Sequence, residues 1–140
     1  MNKQALAEEI LRRFAPLDRA SRFLGMRLLE VRPGHIRMSM RVTEDMLNAQ
    51  QVCHGGLTFS LADTSFGYAC NSHNERAFAA SCSIEFLAPA HVGDELTAEA
   101  NEVGYAGRTR VYDVRVTNQR GELIALFRGK STTVKGVWIE

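Results

Sequence analysis

One carboxylate, Asp63, stands alone between Met46 and Asn74, in a stretch otherwise made of small, apolar and polar residues without a charged acid. Upstream of it lies His54-Gly55-Gly56. From His54 to Asn71 the apolar residues fall at helical spacing. Leu57, Leu61, Ser65 and Ala69 form one face, flanked by Ala62 and Phe66. A helix start presents backbone N–H groups with no intrahelical partner, together with the positive end of the helix dipole. Glycine there lets another molecule come close to the backbone. The Ser, Thr, Asp or Asn that usually occupies such donors is missing at this start. The pattern therefore predicts N–H groups free to hold an oxyanion, and an acid able to attack a carbonyl or to activate water. Thioester hydrolysis has both requirements. The same residues also fit a tight sheet-to-helix turn and a solvated surface acid.

Spacing narrows the choice. Eight residues separate Gly55 from Asp63, roughly 12 Å along a helix axis, whereas reacting groups must lie about 3 Å from one another. One chain cannot bring both to a single carbonyl. Two antiparallel copies of the helix, related by a two-fold axis near Phe59, can, and they then form two equivalent sites per dimer. Thr64 is placed to orient Asp63. His54 is read either as a residue that orients the turn through a hydrogen bond or as an acid–base group. Cys53, Cys70 and Cys82 read as core residues rather than nucleophiles. Cys53-His54 with Cys70 and His73 lacks the paired spacing of a zinc site. No metal and no cofactor is expected.

The elements that must position these residues are mostly strands. Residues 3–15 read as an amphipathic helix, with Leu6, Ile10 and Phe14 on one face and Pro16 as its stop. Residues 23–31 and 36–42 read as a hairpin across Pro33-Gly34. Ile36, Met38, Met40 and Val42 alternate with Arg37, Ser39 and Arg41. After the long helix come strands at 77–88, 95–103, 108–118 and 123–134, the last three joined by short turns and hence antiparallel. A sheet with one apolar face needs a cover, and only the 54–71 helix is apolar enough to supply it. The expected fold is α+β: a curved antiparallel sheet of five to six strands around one central helix, with an extra N-terminal helix, in a single domain spanning 1–140.

Composition excludes several alternatives. The 140 residues are 45% hydrophobic and 24% charged, with 17 Lys plus Arg against 16 Asp plus Glu. This balance gives no reason to expect nucleic acid or an anionic membrane as partner. Three cysteines make an odd count without a disulfide framework, which suits a reducing compartment. No apolar run reaches the ~18 residues of a membrane span, and the first residues lack the apolar core of a signal peptide. A cytoplasmic protein is expected.

Asn48, His54-Gly55-Gly56, Phe59, Leu61-Ala62-Asp63-Thr64, Phe66 and Tyr68-Ala69-Cys70-Asn71 together resemble the hotdog-fold acyl-CoA thioesterases. Within these, the resemblance is to the phenylacetyl-CoA thioesterases of bacterial phenylacetate degradation. Ser83-Ile84-Glu85-Phe86-Leu87 with Pro89, Val111-Tyr112-Asp113, and Ala125 to Ser131 fit the same family. The resemblance covers roughly residues 20–134. Ala49 and Ala88 stand where the family often has Gly and Arg. The family implies an acyl-CoA substrate and a homodimer with shared sites, pairing further into a homotetramer. It implies catalytic roles for Asp63, Gly55 and Asn48, the last positioning substrate or water. It also implies substrate contacts at Gly56 and a water-holding role at Ser81. Arg128 and Lys130 are candidates for the coenzyme A phosphates, and equally read as a solvated face. Phe23, Met46, Phe59 and Phe66 are candidates for the acyl pocket and equally for the core. A hotdog dehydratase using His54, or an acyl-CoA-binding protein without catalysis, are the alternatives.

Overall fold

A computed structural model describes residues 1–140. Helix α1, Lys3–Phe14, starts where the Asn2 side chain accepts the Ala5 N–H, and it buries Ala7, Ile10 and Leu11. On its polar face Glu9 takes both Arg12 and Arg13, while Glu8 accepts from Gln4. A short helix α2, Arg19–Phe23, follows. The sequence reading began a strand at 23, which the structure corrects. Asp18 accepts the Ser21 N–H and so caps α2. Gly25, at φ +71°, then turns the chain, and the strand begins only at Arg27.

Six strands form one sheet: β1 Arg27–Arg32, β2 His35–Arg41, β3 Arg76–Phe86, β4 Glu95–Ala106, β5 Thr109–Thr117 and β6 Leu123–Val134. Their spatial order is β1-β2-β4-β5-β6-β3, and every neighbouring pair is antiparallel. The inward face carries Ile36, Met38 and Met40 of β2, Leu96, Ala98 and Ala100 of β4, and Tyr112, Val114 and Val116 of β5, all buried. Helix α3, Gly55–Asn71, lies in this concavity and buries Leu61, Ala62, Phe66 and Ala69.

The helix reaches the sheet closely because the facing residues are small. At Gly129 of β6 an added Cβ would stand 2.8 Å from the Phe66 ring, so Phe66 occupies the space a side chain would take. Strand β3 is a sheet edge, and much of it is uncovered. Phe78 is 65% exposed and Phe86 55%, and neighbouring Leu87 is equally open. One bulge, between Ala79 and Ser81, interrupts its pairing with β6.

Candidate active site

The entrance to α3 is tied down from three sides. The Cys53 N–H donates to the Ala90 carbonyl at 2.8 Å and the His54 N–H to the Met46 carbonyl at 2.7 Å. The His54 side chain folds over the first turn, where Nδ1 accepts the Gly56 N–H at 2.9 Å. This corrects the expectation that the helix start lacks a side-chain acceptor, since His54 is that acceptor. A ring nitrogen that accepts carries no proton, so the neutral imidazole holds its proton on Nε2. Of the two glycines, Gly56 is therefore occupied. The Gly55 N–H makes no hydrogen bond within the chain. An added Cβ at Gly55 would come within 3.1 Å of the Phe86 ring. Around Gly55 opens a cavity of about 310 Å³, lined by Cys53, Thr58, Phe86, Ala90 and Ile124 among others.

Asp63 lies two turns further along α3 and lines a different cavity, of about 260 Å³. Phe14, Phe66, Arg76 and Trp138 share that cavity. The carboxylate is half-buried and has neither a hydrogen bond nor an ion pair within the chain. Burial raises its pKa above the ordinary aspartate value, because desolvation disfavours the charged form. Burial also pushes the Cys70 thiol to about 12, with the Asp63 charge adding to it, and moves Cys82 upward for the same two reasons. A thiol held protonated is a poor nucleophile, so neither cysteine is poised for nucleophilic attack.

The other residues named from sequence fall in three places. Asn48 sits in the loop before α3, which an isolated bridge between Leu47 and Cys53 closes. Its Oδ1 accepts the Gln50 and Val52 N–H groups at 2.9 and 3.3 Å, holding Gln51 at φ +65°. That leaves the Asn48 Nδ2 as its open donor. Thr64 follows Asp63 on α3 but makes no hydrogen bond to it. Ser81, Arg128 and Lys130 stand on the outer face of the sheet, opposite α3. Ser81 pairs with Lys130 and Ser83 with Arg128 in register, while the residues between, Phe127, Gly129 and Ser131, point inward. Arg128 is held by both oxygens of Asp113, at 2.6 and 2.9 Å. Within one chain, then, none of the three outer-face residues meets Gly55 or Asp63.

Of the proposed pocket residues, Phe23 is 87% exposed and Met46 is buried in the core. Phe59 packs edge-on against Phe127, and only Phe66 reaches the Asp63 cavity. Sequence reasoning missed Phe14, Phe86 and Trp138. Trp138 is the chain's one tryptophan, and that was the available signal. No cluster of three or more His, Cys, Asp or Glu side chains has metal-binding geometry.

Residues 50–125, which include both Gly55 and Asp63, match the family model described as the thioesterase superfamily. The chain belongs to the thioesterase superfamily. Its sheet-wrapped helix is the hotdog fold of that superfamily. The acyl-coenzyme A thioesterase PaaI of Escherichia coli K12 is 45% identical over 119 residues, 85% of each chain. The solved structure of the E. coli PaaI protein, from the phenylacetic acid degradation operon, superposes with a TM-score of 0.95. It does so at 40% identity, covering 97% of this chain and 99% of that one. A thioesterase protein of Streptococcus pneumoniae solved with coenzyme A is a more distant superfamily member. It is 26% identical, with a TM-score of 0.83 over 91% of this chain and 98% of that one.

Proposed function

We propose that the protein hydrolyses arylacetyl-CoA thioesters, phenylacetyl-CoA and its ring-hydroxylated relatives, to the carboxylic acid and free coenzyme A. The observation that carries this is the pair of open groups on α3. The Gly55 N–H and the Asp63 carboxylate both lack partners within the chain, in a superfamily of thioesterases. The kinship to the E. coli acyl-CoA thioesterase supports the CoA ester and the phenylacetate context.

The chemistry assigns each group one task. The substrate carbonyl oxygen docks on the Gly55 N–H at the positive end of α3, where the negative charge of the tetrahedral intermediate develops. Asp63 of the partner subunit, ionised, attacks the carbonyl carbon or takes the proton from an attacking water. As base, Asp63 passes the proton it takes from water to the departing thiolate, while the water oxygen bonds to the carbonyl carbon and the C–S bond breaks. As nucleophile, it forms an acyl–aspartyl anhydride as the C–S bond breaks. A water then hydrolyses the anhydride, releasing the acid, restoring the carboxylate and supplying the proton of free coenzyme A. The Asn48 Nδ2 donates to substrate or water. His54 holds the turn that aims Gly55. This commitment of Nδ1 to Gly56 argues against the dehydratase reading, in which His54 would move protons. No metal or cofactor takes part.

The shared site makes the molecule a homodimer. The uncovered β3 edge is the matching surface, and pairing of dimers gives a homotetramer. All three cysteines are free, which fits a cytoplasmic setting, and no helix is long and apolar enough to cross a membrane. One domain spans 1–140. The deciding measurement is phenylacetyl-CoA hydrolysis by Asp63→Ala. A loss of about 10²-fold or more is expected, the scale of a positioned acid–base group. Turnover near the native rate would sink the reading.

A further inference from the structure

Asp63 opens onto a cavity whose far wall belongs to neither α3 nor the sheet. Phe14 comes from the end of α1 and Trp138 from the tail after β6. Both are fixed by contacts that nothing in the catalytic chemistry explains. Phe14 meets Tyr68 and Trp138 edge-to-face, at 5.2 and 5.0 Å between ring centroids. The Trp138 indole N–H donates to Asn71 Oδ1 at 2.9 Å. Its backbone N–H, and that of Ile139, donate to Asn74 Oδ1 at 3.0 and 2.9 Å, while Asn74 Nδ2 returns a bond to the Ile139 carbonyl. Asn74 holds φ +62°, so a left-handed residue clamps the tail. The Arg76 guanidinium lies 4.3 Å from the centre of the Trp138 ring.

We infer that Phe14 and Trp138, held together by the α1 end and the clamped tail, form the arylacetyl-recognition wall of the Asp63 site and set its preference for aromatic over aliphatic acyl groups. Three observations converge on this. First, size: a cavity of about 150 Å³ accepts benzene, and this one offers about 260 Å³, enough for a ring and its methylene. Second, chemistry: the indole N–H is already satisfied by Asn71, so Trp138 offers π surface rather than a donor. Ring pairs stacked or edge-on gain beyond the area they bury. Third, placement: Asp63 lines the same cavity, so an acyl group lodged against the aromatic wall carries its carbonyl toward the carboxylate. Phe66, 1% exposed and edge-on to Tyr112 at 5.6 Å, backs the cavity from α3.

This assignment rests on the thioesterase reading, and its test separates the two. The native protein, Trp138→Ala, Trp138→Phe and Phe14→Leu are compared on phenylacetyl-CoA and on butyryl-CoA in the same preparations. The ratio of the two kcat/KM values then cancels any fraction that fails to fold. Trp138→Ala should lower that ratio by about tenfold or more, the scale on which an apolar pocket discriminates, chiefly through a higher KM. Phe14→Leu should lower it less. Trp138→Phe keeps a ring and loses the bond to Asn71, and should recover most of the preference. Equal losses on both substrates, or an unchanged ratio, would overturn the aromatic wall and leave the thioesterase reading standing. Absence of turnover of either ester by the native protein would remove both.

Discussion

Half-burial without a partner makes Asp63 a poor surface residue and, in the proposed reaction, a usable base or nucleophile. Its raised pKa has two measurable consequences. The folded protein binds the Asp63 proton more tightly than the unfolded chain does, so ionising Asp63 costs stability. That cost grows as pH climbs from the ordinary aspartate range through the raised value. Asp63→Asn should therefore melt higher than the native protein at neutral pH and not at pH 3, while losing about 10²-fold or more in turnover. A scanning-calorimetry pair at the two pH values checks this, and equal melting at both would count against an uncompensated acid. On the activity side, either role of Asp63 needs the carboxylate, so kcat/KM should fall on the acid side from a pH above the usual aspartate range. His54 tests the opposite kind of residue. His54→Ala leaves the Gly56 N–H uncapped and should cost about 1 kcal/mol, as loss of an N-cap acceptor typically does. His54→Asn, itself a good cap, should restore stability and most of the activity. Recovery of stability without activity would make His54 an acid–base group after all.

At the scale of elements, the chain's alternations and turns were readable and its tertiary fixtures were not. Ile36, Met38 and Met40 announce a half-buried strand because a pleat sends alternate side chains to one face. The lone long apolar helix had to lie beneath such a sheet. Residues 19–23 misled because Phe23-Leu24 look like a strand start, whereas the Asp18 cap and the Gly25 turn close a short helix first. The absence of Ser, Thr, Asp or Asn before Gly55 suggested bare donors. Histidine is not a usual cap, so the bond from Gly56 to His54 Nδ1 was invisible until the ring had a position. The wall of Phe14 and Trp138 was hidden for another reason: it joins two ends of the chain 124 positions apart, which no local pattern encodes. Gly129 shows the same limit. In sequence it is a glycine in a strand, and in space it is where Phe66 fits. Gly129→Ala must push that ring aside in a close-packed core, a change that typically costs about 1–3 kcal/mol. Because Phe66 also lines the Asp63 cavity, a shift in KM for phenylacetyl-CoA should accompany the drop in denaturation midpoint. A drop without any kinetic change would confine Phe66 to the core.

At the scale of the whole molecule, the free Gly55 N–H and the Asp63 carboxylate of one chain face different cavities. A rigid helix keeps them roughly 12 Å apart, so no side-chain motion joins them. In the proposed dimer a second copy does, and the exposed β3 edge offers it a surface. It is an eleven-residue strand with unpaired backbone groups on its outer side and exposed Phe78 and Phe86. A monomeric protein would be expected to blunt such an edge with charge or proline. Sharing of sites has a signature that simple association lacks. Asp63→Ala inactivates the acid half, and a bulky replacement such as Gly55→Val inactivates the oxyanion half by driving a side chain at the Phe86 ring. Each variant alone should be nearly dead. When the two are unfolded together and refolded at equal amounts, half of the dimers contain one chain of each kind. Such a dimer unites the intact Gly55 of one chain with the intact Asp63 of the other, giving one working site of two. The mixture should recover about a quarter of native activity. If instead each chain carried a complete site, both sites in the mixed dimer would remain broken and the mixture would stay inactive. Activity that appears only after subunit exchange, and approaches that quarter, is the outcome the shared-site reading requires.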